Sequence, residues 1–226
     1  MKELTDGVHQ LREIPPNAIN IYLVEGPEGD VLIDAGSRHD ARRIRKQTAQ
    51  HKLSLVALTH AHGDHQGAAK ETCERTGAPL ACHSADVAAM EGREPFALGN
   101  PDHPLARLSR WALSGPPHPV SRVLADGDEV GGFRVIHTPG HSPGHVTFWR
   151  ESDRVAIAGD VLFGMHPLTT VPGLHEPPSF FTPDPSLNRE SIRRLAALEP
   201  ELLCLGHGPP VRDAARKIAK FAQKLS

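Results

Sequence analysis

Four short apolar runs in this chain each deliver a histidine or an aspartate at the C-terminal end, with a glycine beside it in three and within four residues in the first. LSLVALT leads into HAHGDHQG, RVIHTPG into His141, RVAIAG into Asp160, and ELLCLG into His207. A strand fixes the direction of the chain, and glycine permits the tight turn or close backbone approach that follows. A fold in which such ends meet would gather His60, His62, His65, His141, His207, Asp64 and Asp160 in four strand-end loops.

The first of these loops is the densest. In its extended part His60 and His62 point to one side. Gly63 turns the backbone, and Asp64 and His65 open the next helix, so four side chains can face one point. Taken alone, THAHGDHQG also fits a polar surface loop rich in histidine. Imidazole and carboxylate are suitable ligands for zinc, iron and manganese, and a catalytic site keeps one position for water. Seven ligands divide into two sets of three with one shared carboxylate. That arithmetic predicts two divalent cations, zinc first, with iron or manganese as alternatives.

The remaining features set bounds. The chain has 226 residues and 38% apolar content, enough for one sizeable core, and is read as one domain over residues 1–226. A net charge of -2 without a basic block gives no reason to expect a nucleic-acid partner. Cys73, Cys82 and Cys204 are scattered, odd in number and free of any CxxC pair, which predicts reduced buried thiols and a cytoplasmic protein. The N-terminal residues lack the apolar core of a signal peptide, and no run of about 18 apolar residues is present to span a membrane.

Strands are predicted at VHQLRE, NIYLVEG, DVLIDAG, LSLVALTH, PLACHS, VSRVLAD, GGFRVIHTPG, GHVTFWRE, RVAIAGDVLF and ELLCLGHG. The turn at residues 26–30 makes the second and third of these a hairpin. Helices are expected over residues 39–50, over 66–76 with Gly77 as the C-cap, after Ser84 as an N-cap, around LARLSRWAL, over SLNRESIRRLAALEP with Ser186 as the N-cap, and over VRDAARKIAKFAQKL. Two Pro-rich excursions, at about 92–119 and 166–185, are long enough to serve as lids or binding walls. Strand runs with helices between them predict sheets covered by helices.

HAHGDH resembles the HxHxDH signature of the metallo-β-lactamase-fold hydrolases. TPGHSPGH, AGDVLF and GHGPP are similar to the later motifs of its glyoxalase II-like branch, and VLIDAG with Asp34 resembles the first motif. The resemblance runs from about residue 7 to 211. It implies an α+β fold, a four-layer αββα sandwich with metals at one edge between the sheets. It also implies one metal held by His60, His62 and His141, a second by Asp64, His65 and His207, and Asp160 bridging them. The implied reaction is hydrolysis of an ester, thioester or lactone in a small molecule by a metal-bridging hydroxide, with Asp64 orienting the nucleophile.

Departures from family patterns narrow the substrate. The β-lactamases of this superfamily carry Cys or Ser at the position of Asp160. Glyoxalase II proper has a further helical domain where this chain has one helix after His207. The quorum-signal lactonases use a Tyr after the bridging Asp, whereas the one tyrosine here is Tyr22. Persulfide dioxygenases share the motifs but use a single iron, held by residues matching His60, His141 and Asp160, and stand as the alternative. A metal-free binding module is a third reading, and a homodimer is an open possibility. Outside the ligand set, His145 and Asp34 are read as structural supports of the site. His166 and His175 lie in the Pro-rich loop after Asp160, where a solvated position is the first reading and a substrate-facing one the alternative. Trp111, Phe163, Met165, Phe180 and Phe181 are candidates either for pocket walls or for ordinary packing.

Overall fold

The computed structural model describes residues 1–13 and 15–225. Strands β1 (Lys2–Thr5), β2 (Val8–Gln10), β3 (Tyr22–Val24), β4 (Asp30–Ile33), β5 (Leu53–Ala57), β6 (Leu80–His83) and β7 (Arg122–Leu124) form a seven-stranded sheet in sequence order. Its first four strands are antiparallel, and β4 to β7 are parallel. A second sheet is built from β8 (Glu129–Val130), β9 (Phe133–His137), β10 (Val146–Arg150) and β11 (Val155–Ile157), continued after a break by β14 (Leu202–Cys204) and β15 (Val211–Arg212). Between them in sequence, β12 (Phe163–Met165) and β13 (Pro172–His175) pair with each other as a separate antiparallel hairpin.

Strand alternation builds the layers. Tyr22, Val24, Ile33, Leu55 and Ala57 point inward and meet Phe133, Val135, Phe148 and Ile157 of the second sheet. Their neighbours Leu23, Leu32 and Val56 point outward, against Ile44 and Cys73 of helices α1 (Ala41–Gln47) and α3 (Ala69–Thr76), between which lies the short α2 (Gly63–Gln66). On the other side Trp149, Ala156 and Leu203 pack against Ile192 and Ile218. These belong to α6 (Pro185–Ala197) and α7 (Ala214–Ala222), the last helices after α4 (Val87–Met90) and α5 (Pro104–Leu113). Side chains two residues apart share a face of a strand, so each sheet is apolar on both sides and needs a partner on both. Three apolar interfaces between four layers give the expected αββα sandwich.

Several local expectations hold. β3 and β4 form the hairpin, and Gly77 ends α3 in the left-handed conformation at φ 73°, its N–H donating to the Cys73 carbonyl. Others are corrected. Ser84 begins a 3-10 turn rather than capping a helix, and the ring of His83 accepts the Ala85 N–H instead. Asp184, not Ser186, caps α6: its carboxylate accepts the Leu187 N–H, and Pro185 occupies the first helical position. Val211–Arg212 is an edge strand, so α7 starts only at Ala214. The excursion after Asp160 contains β13, while the helix expected around LARLSRWAL is present as α5.

Candidate metal centre

Strands β9 and β11 both flank β10 antiparallel, and β11 pairs parallel with β14, so β9, β11 and β14 all run in one direction. The loops carrying His141, Asp160 and His207 therefore leave the second sheet at the same edge. The loop after β5 meets them there, with the Thr59 carbonyl accepting the Val146 N–H at 2.8 Å. Main-chain bonds close the layout: Gly206 N–H donates to the Gly159 carbonyl at 2.8 Å, and Asn20 N–H to the Gly206 carbonyl at 2.8 Å.

All seven predicted residues come together. Ligand atoms of His60, His62 and His141 lie within 4.8 Å of one another, as do those of Asp64, His65 and His207, and those of His60, His65 and Asp160. Asp160 sits at the junction. Its Oδ2 is 3.2 Å from His207 Nε2, 3.4 Å from His65 Nε2 and 3.5 Å from His141 Nε2. His207 Nε2 is also 3.3 Å from Asp64 Oδ2, and His62 Nδ1 is 3.0 Å from His141 Nε2.

The outward ring nitrogens are tied down, which turns the inward ones toward a common point. His65 Nδ1 bonds Asp34 Oδ2 at 2.8 Å, His62 Nε2 bonds the Ala97 carbonyl at 2.8 Å, and His207 Nδ1 bonds the Ala18 carbonyl. His60 Nδ1 lies 3.1 Å from Thr59 Oγ1, and His141 Nδ1 lies 3.2 Å from Thr182 Oγ1. Three inward atoms, His60 Nε2, His65 Nε2 and Asp160 Oδ1, are buried with no hydrogen-bond partner among the described residues. Buried polar atoms are almost always paired, so three such atoms in one cluster fit coordination of a cation. The donor set of imidazole and carboxylate is chemically suited to it.

Electrostatics agree. Burial lowers His60 and His141 well below the ordinary imidazole range, aided by neighbouring histidines, so both rings are neutral with lone pairs available. Burial would raise Asp160, but His207 and His65 hold it well below the usual carboxylate range. Asp64 is opposed by burial in the same way and is likewise held low, by His207 and His65. Burial works against the charge on His207, yet Asp160 and Asp64 push it up to about 10. The carboxylates thus stay ionised and gather positive charge around themselves.

Asp34 acts as the sequence indicated. Its Oδ1 accepts the Thr59 N–H at 2.7 Å, tying it to the backbone of the first ligand loop, while Oδ2 holds His65. It does so at φ 63°, a conformation costly for a residue with a Cβ and sustained here by those bonds. His145 also supports the site: its Nε2 accepts the Asp160 N–H at 3.0 Å, and its Nδ1 faces Thr138 Oγ1 at 2.9 Å. Burial drives its pKa down to about 3, keeping the ring neutral as that acceptor role needs.

Asp86 escaped the sequence reading. It is buried, and its carboxylate accepts the Ala61 N–H at 3.0 Å, the Ser142 hydroxyl at 2.9 Å and the Gly144 N–H at 2.8 Å. It joins the loop of His60 and His62 to the loop of His141. No spacing rule marks an aspartate after β6, so the sequence held no signal for it.

Five of the seven, His62, Asp64, His141, Asp160 and His207, line a cavity of about 360 Å³. Phe163, Met165 and Phe181 form part of its wall, as do Phe96, Leu98 and Leu113. Trp111 and Phe180 do not. Trp111 is 70% exposed with the Arg38 guanidinium over its ring, and Phe180 stacks on His103 at 4.0 Å. His166 and His175 pack edge to face at 5.3 Å in the hairpin and are not in the cavity lining.

Sheet order, layering and the His/Asp cluster define a metallo-hydrolase type of enzyme, and comparison with known proteins says which family. The profile described as metallo-beta-lactamase superfamily matches residues 14–207, and the chain belongs to that superfamily. The chain is 34% identical to the probable metallo-hydrolase YflN of Bacillus subtilis, over 99% of this chain and 93% of that protein. It is 33% identical to the hydroxyacylglutathione hydrolase of Acidiphilium cryptum, over 71% of this chain and 53% of that one. The crystal structure of TTHA1623 in a di-iron-bound form superposes with a TM-score of 0.66 and 36% identity, covering 89% of this chain and 93% of that one. Among the described residues no helix is long and apolar enough to cross a membrane.

Proposed function

We propose that the protein hydrolyses an ester or thioester bond of a small molecule at a dinuclear metal centre. His60, His62 and His141 would hold one ion, Asp64, His65 and His207 the other, with Asp160 shared. The observation that carries this reading is the convergence of three buried ligand atoms, His60 Nε2, His65 Nε2 and Asp160 Oδ1, unpartnered among the described residues, in a cluster whose members His62, Asp64, His141, Asp160 and His207 line an apolar cavity. Two divalent ions would supply Lewis-acid polarisation of a carbonyl and acidification of a water at neutral pH.

The chain supplies the rest. Asp34 and the Ala97 and Ala18 carbonyls fix ring orientation, so ligation costs little reorganisation. His145 fixes the backbone at Asp160. Asp64 lines the cavity with its carboxylate ionised and would orient the attacking water. The aromatic and aliphatic wall excludes bulk water, which strengthens electrostatic interactions inside. A thioester stands first because one relative is a hydroxyacylglutathione hydrolase, which makes this reading a small-molecule one. Zinc is the proposed metal, with iron next because TTHA1623 was crystallised in a di-iron-bound form. The three free, buried cysteines fit a reducing compartment, the cytoplasm.

The test is elemental analysis of protein purified without chelator or added metal, followed by a panel of thioesters, esters and lactones. About two ions per chain with turnover of one of these classes is the expected result. About one iron per chain, with oxygen uptake on glutathione persulfide and no hydrolysis, would replace the reading with the mononuclear-iron dioxygenase.

A further inference from the structure

Helix α5 is built the wrong way round for a helix that merely covers a cavity. Residues at i, i+3, i+4 and i+7 share one face of a helix. On α5 the residues with that spacing that line the cavity are Ala106, Ser109, Arg110 and Leu113. The opposite side carries Leu105, Leu108 and Trp111, which are 43%, 54% and 70% exposed. Hydrophobic burial alone would put the leucines inward, yet they face solvent, while Arg110 stands exposed at the mouth of the cavity. Ser109 and Arg110 therefore stand where packing has no use for them.

Among the described residues lining the cavity Arg110 is the one arginine or lysine, and it is exposed at the cavity mouth. No carboxylate among the described residues lies within ion-pair distance of it. The two carboxylates of the cavity, Asp64 and Asp160, face His207 instead. One turn further on, the Ser114 N–H donates to the Arg110 carbonyl, and Ser114 lines the same cavity with its hydroxyl buried and unpartnered. An unengaged guanidinium and an orphaned hydroxyl thus share one wall. The guanidinium is a planar fork that matches carboxylate and phosphate oxygens two at a time.

We propose that Arg110 is the anion-recognition residue of this cavity, and that the substrate is an ester or thioester carrying a carboxylate or phosphate a few bonds from the scissile carbonyl. This rests on the hydrolase reading for the scissile bond but not for the anion. Phe163, Met165 and Phe181 would contact the apolar spacer between the two.

Two arms test it on the metal-loaded protein. In the first, 4-nitrophenyl hydrogen glutarate is compared with 4-nitrophenyl pentanoate, which has the same chain length without the second carboxylate. In the second, calorimetry compares binding of glutarate with pentanoate, so that each ligand offers one carboxylate to the metals and only glutarate offers another. The wild type should prefer the glutaryl member in both arms. Arg110→Ala should collapse that preference about ten- to a hundred-fold, the usual range for a lost charge-assisted hydrogen bond, with Arg110→Lys in between. Replacing glutarate by 4-phosphonobutyrate identifies the natural anion as whichever shows the larger dependence on Arg110. A glutarate-to-pentanoate ratio that stays within about two-fold of wild type in Arg110→Ala would overturn the proposal. Turnover with no Arg110 dependence sinks the anion site and leaves the hydrolase. Arg110-dependent binding with neither ester cleaved does the reverse.

Discussion

Removing the carboxylate of Asp86 should loosen the centre without touching any ligand. In Asp86→Ala three donors lose their acceptor together: the Ala61 N–H, the Ser142 hydroxyl and the Gly144 N–H, now held at 3.0, 2.9 and 2.8 Å. Each buried donor left unpaired costs about 1–2 kcal/mol, so the substitution should cost about 3–6 kcal/mol. For a chain of this length about 2–4 °C of melting temperature follows each kcal/mol, which gives a drop of about 6–24 °C. Asp86→Asn is the informative partner. Its carbonyl oxygen can keep the pair of bonds now made by Oδ2, while its NH2 group faces the Gly144 N–H donor to donor. It should lose about 1–3 kcal/mol. Thermal unfolding followed by fluorescence of the buried Trp149, together with metal titration of the chelated protein, reads both effects. The loops of His60, His62 and His141 are joined through Asp86, so metal affinity should fall in the same order as stability. An alanine variant melting within about 3 °C of wild type and binding metal normally would refute the idea that Asp86 sets the spacing of the ligand loops.

Gly206→Ala should fold but bind metal poorly, because its Cβ would fall 2.1 Å from Asp160 Oδ1 and 2.6 Å from His65 Cε1; normal metal content by elemental analysis would count against the packing seen there. Asp160→Ala should remove metal and activity together, and turnover at unchanged metal content would sink its assignment as the shared ligand. Chelation should abolish hydrolysis and lower the melting temperature, since an ion bound only by the folded state stabilises it by mass action; an unmoved melting temperature would argue that no resident metal supports the fold. Burial pushes Cys73, Cys82 and Cys204 up to about 12, so near pH 8 almost no thiolate is present. A disulfide reagent at that pH should label none of the three in the native protein and all of them in denaturant, and rapid native labelling would contradict their burial.

Much of the site was legible because its signals are local. Apolar runs ending near glycine mark strand ends, and His60, His62, Asp64, His65, His141, Asp160 and His207 all sit just past such ends. The near-continuous apolar runs of β3, β4 and β5 likewise announce strands buried on both faces, as Leu23 and Tyr22 show by packing into different layers. Errors fell where competing local chemistry was closely matched. Ser84 and Ser186 are good capping residues in isolation, but His83 and Asp184 hold the capping positions because the preceding strand and Pro185 set where each helix begins. The α7 region is uniformly amphipathic, and only its pairing with β14 converts Val211–Arg212 into a strand.

The sequence by itself thus determined the chemistry of the ligand set, the presence of sheets covered by helices and the order of the strand-end loops. These depend on residue type, period and glycine placement within a dozen positions. Tertiary structure alone decided which residues hold those loops together and what faces the cavity. Asp86 meets Gly144 across 58 positions, and Asn20 reaches the Leu205 carbonyl across 185. The placement of Arg110 at the cavity mouth comes from the docking of α5, which leaves Leu105, Leu108 and Trp111 exposed. Contacts of that range are fixed by the packing of whole sheets and helices, which no local window of sequence contains.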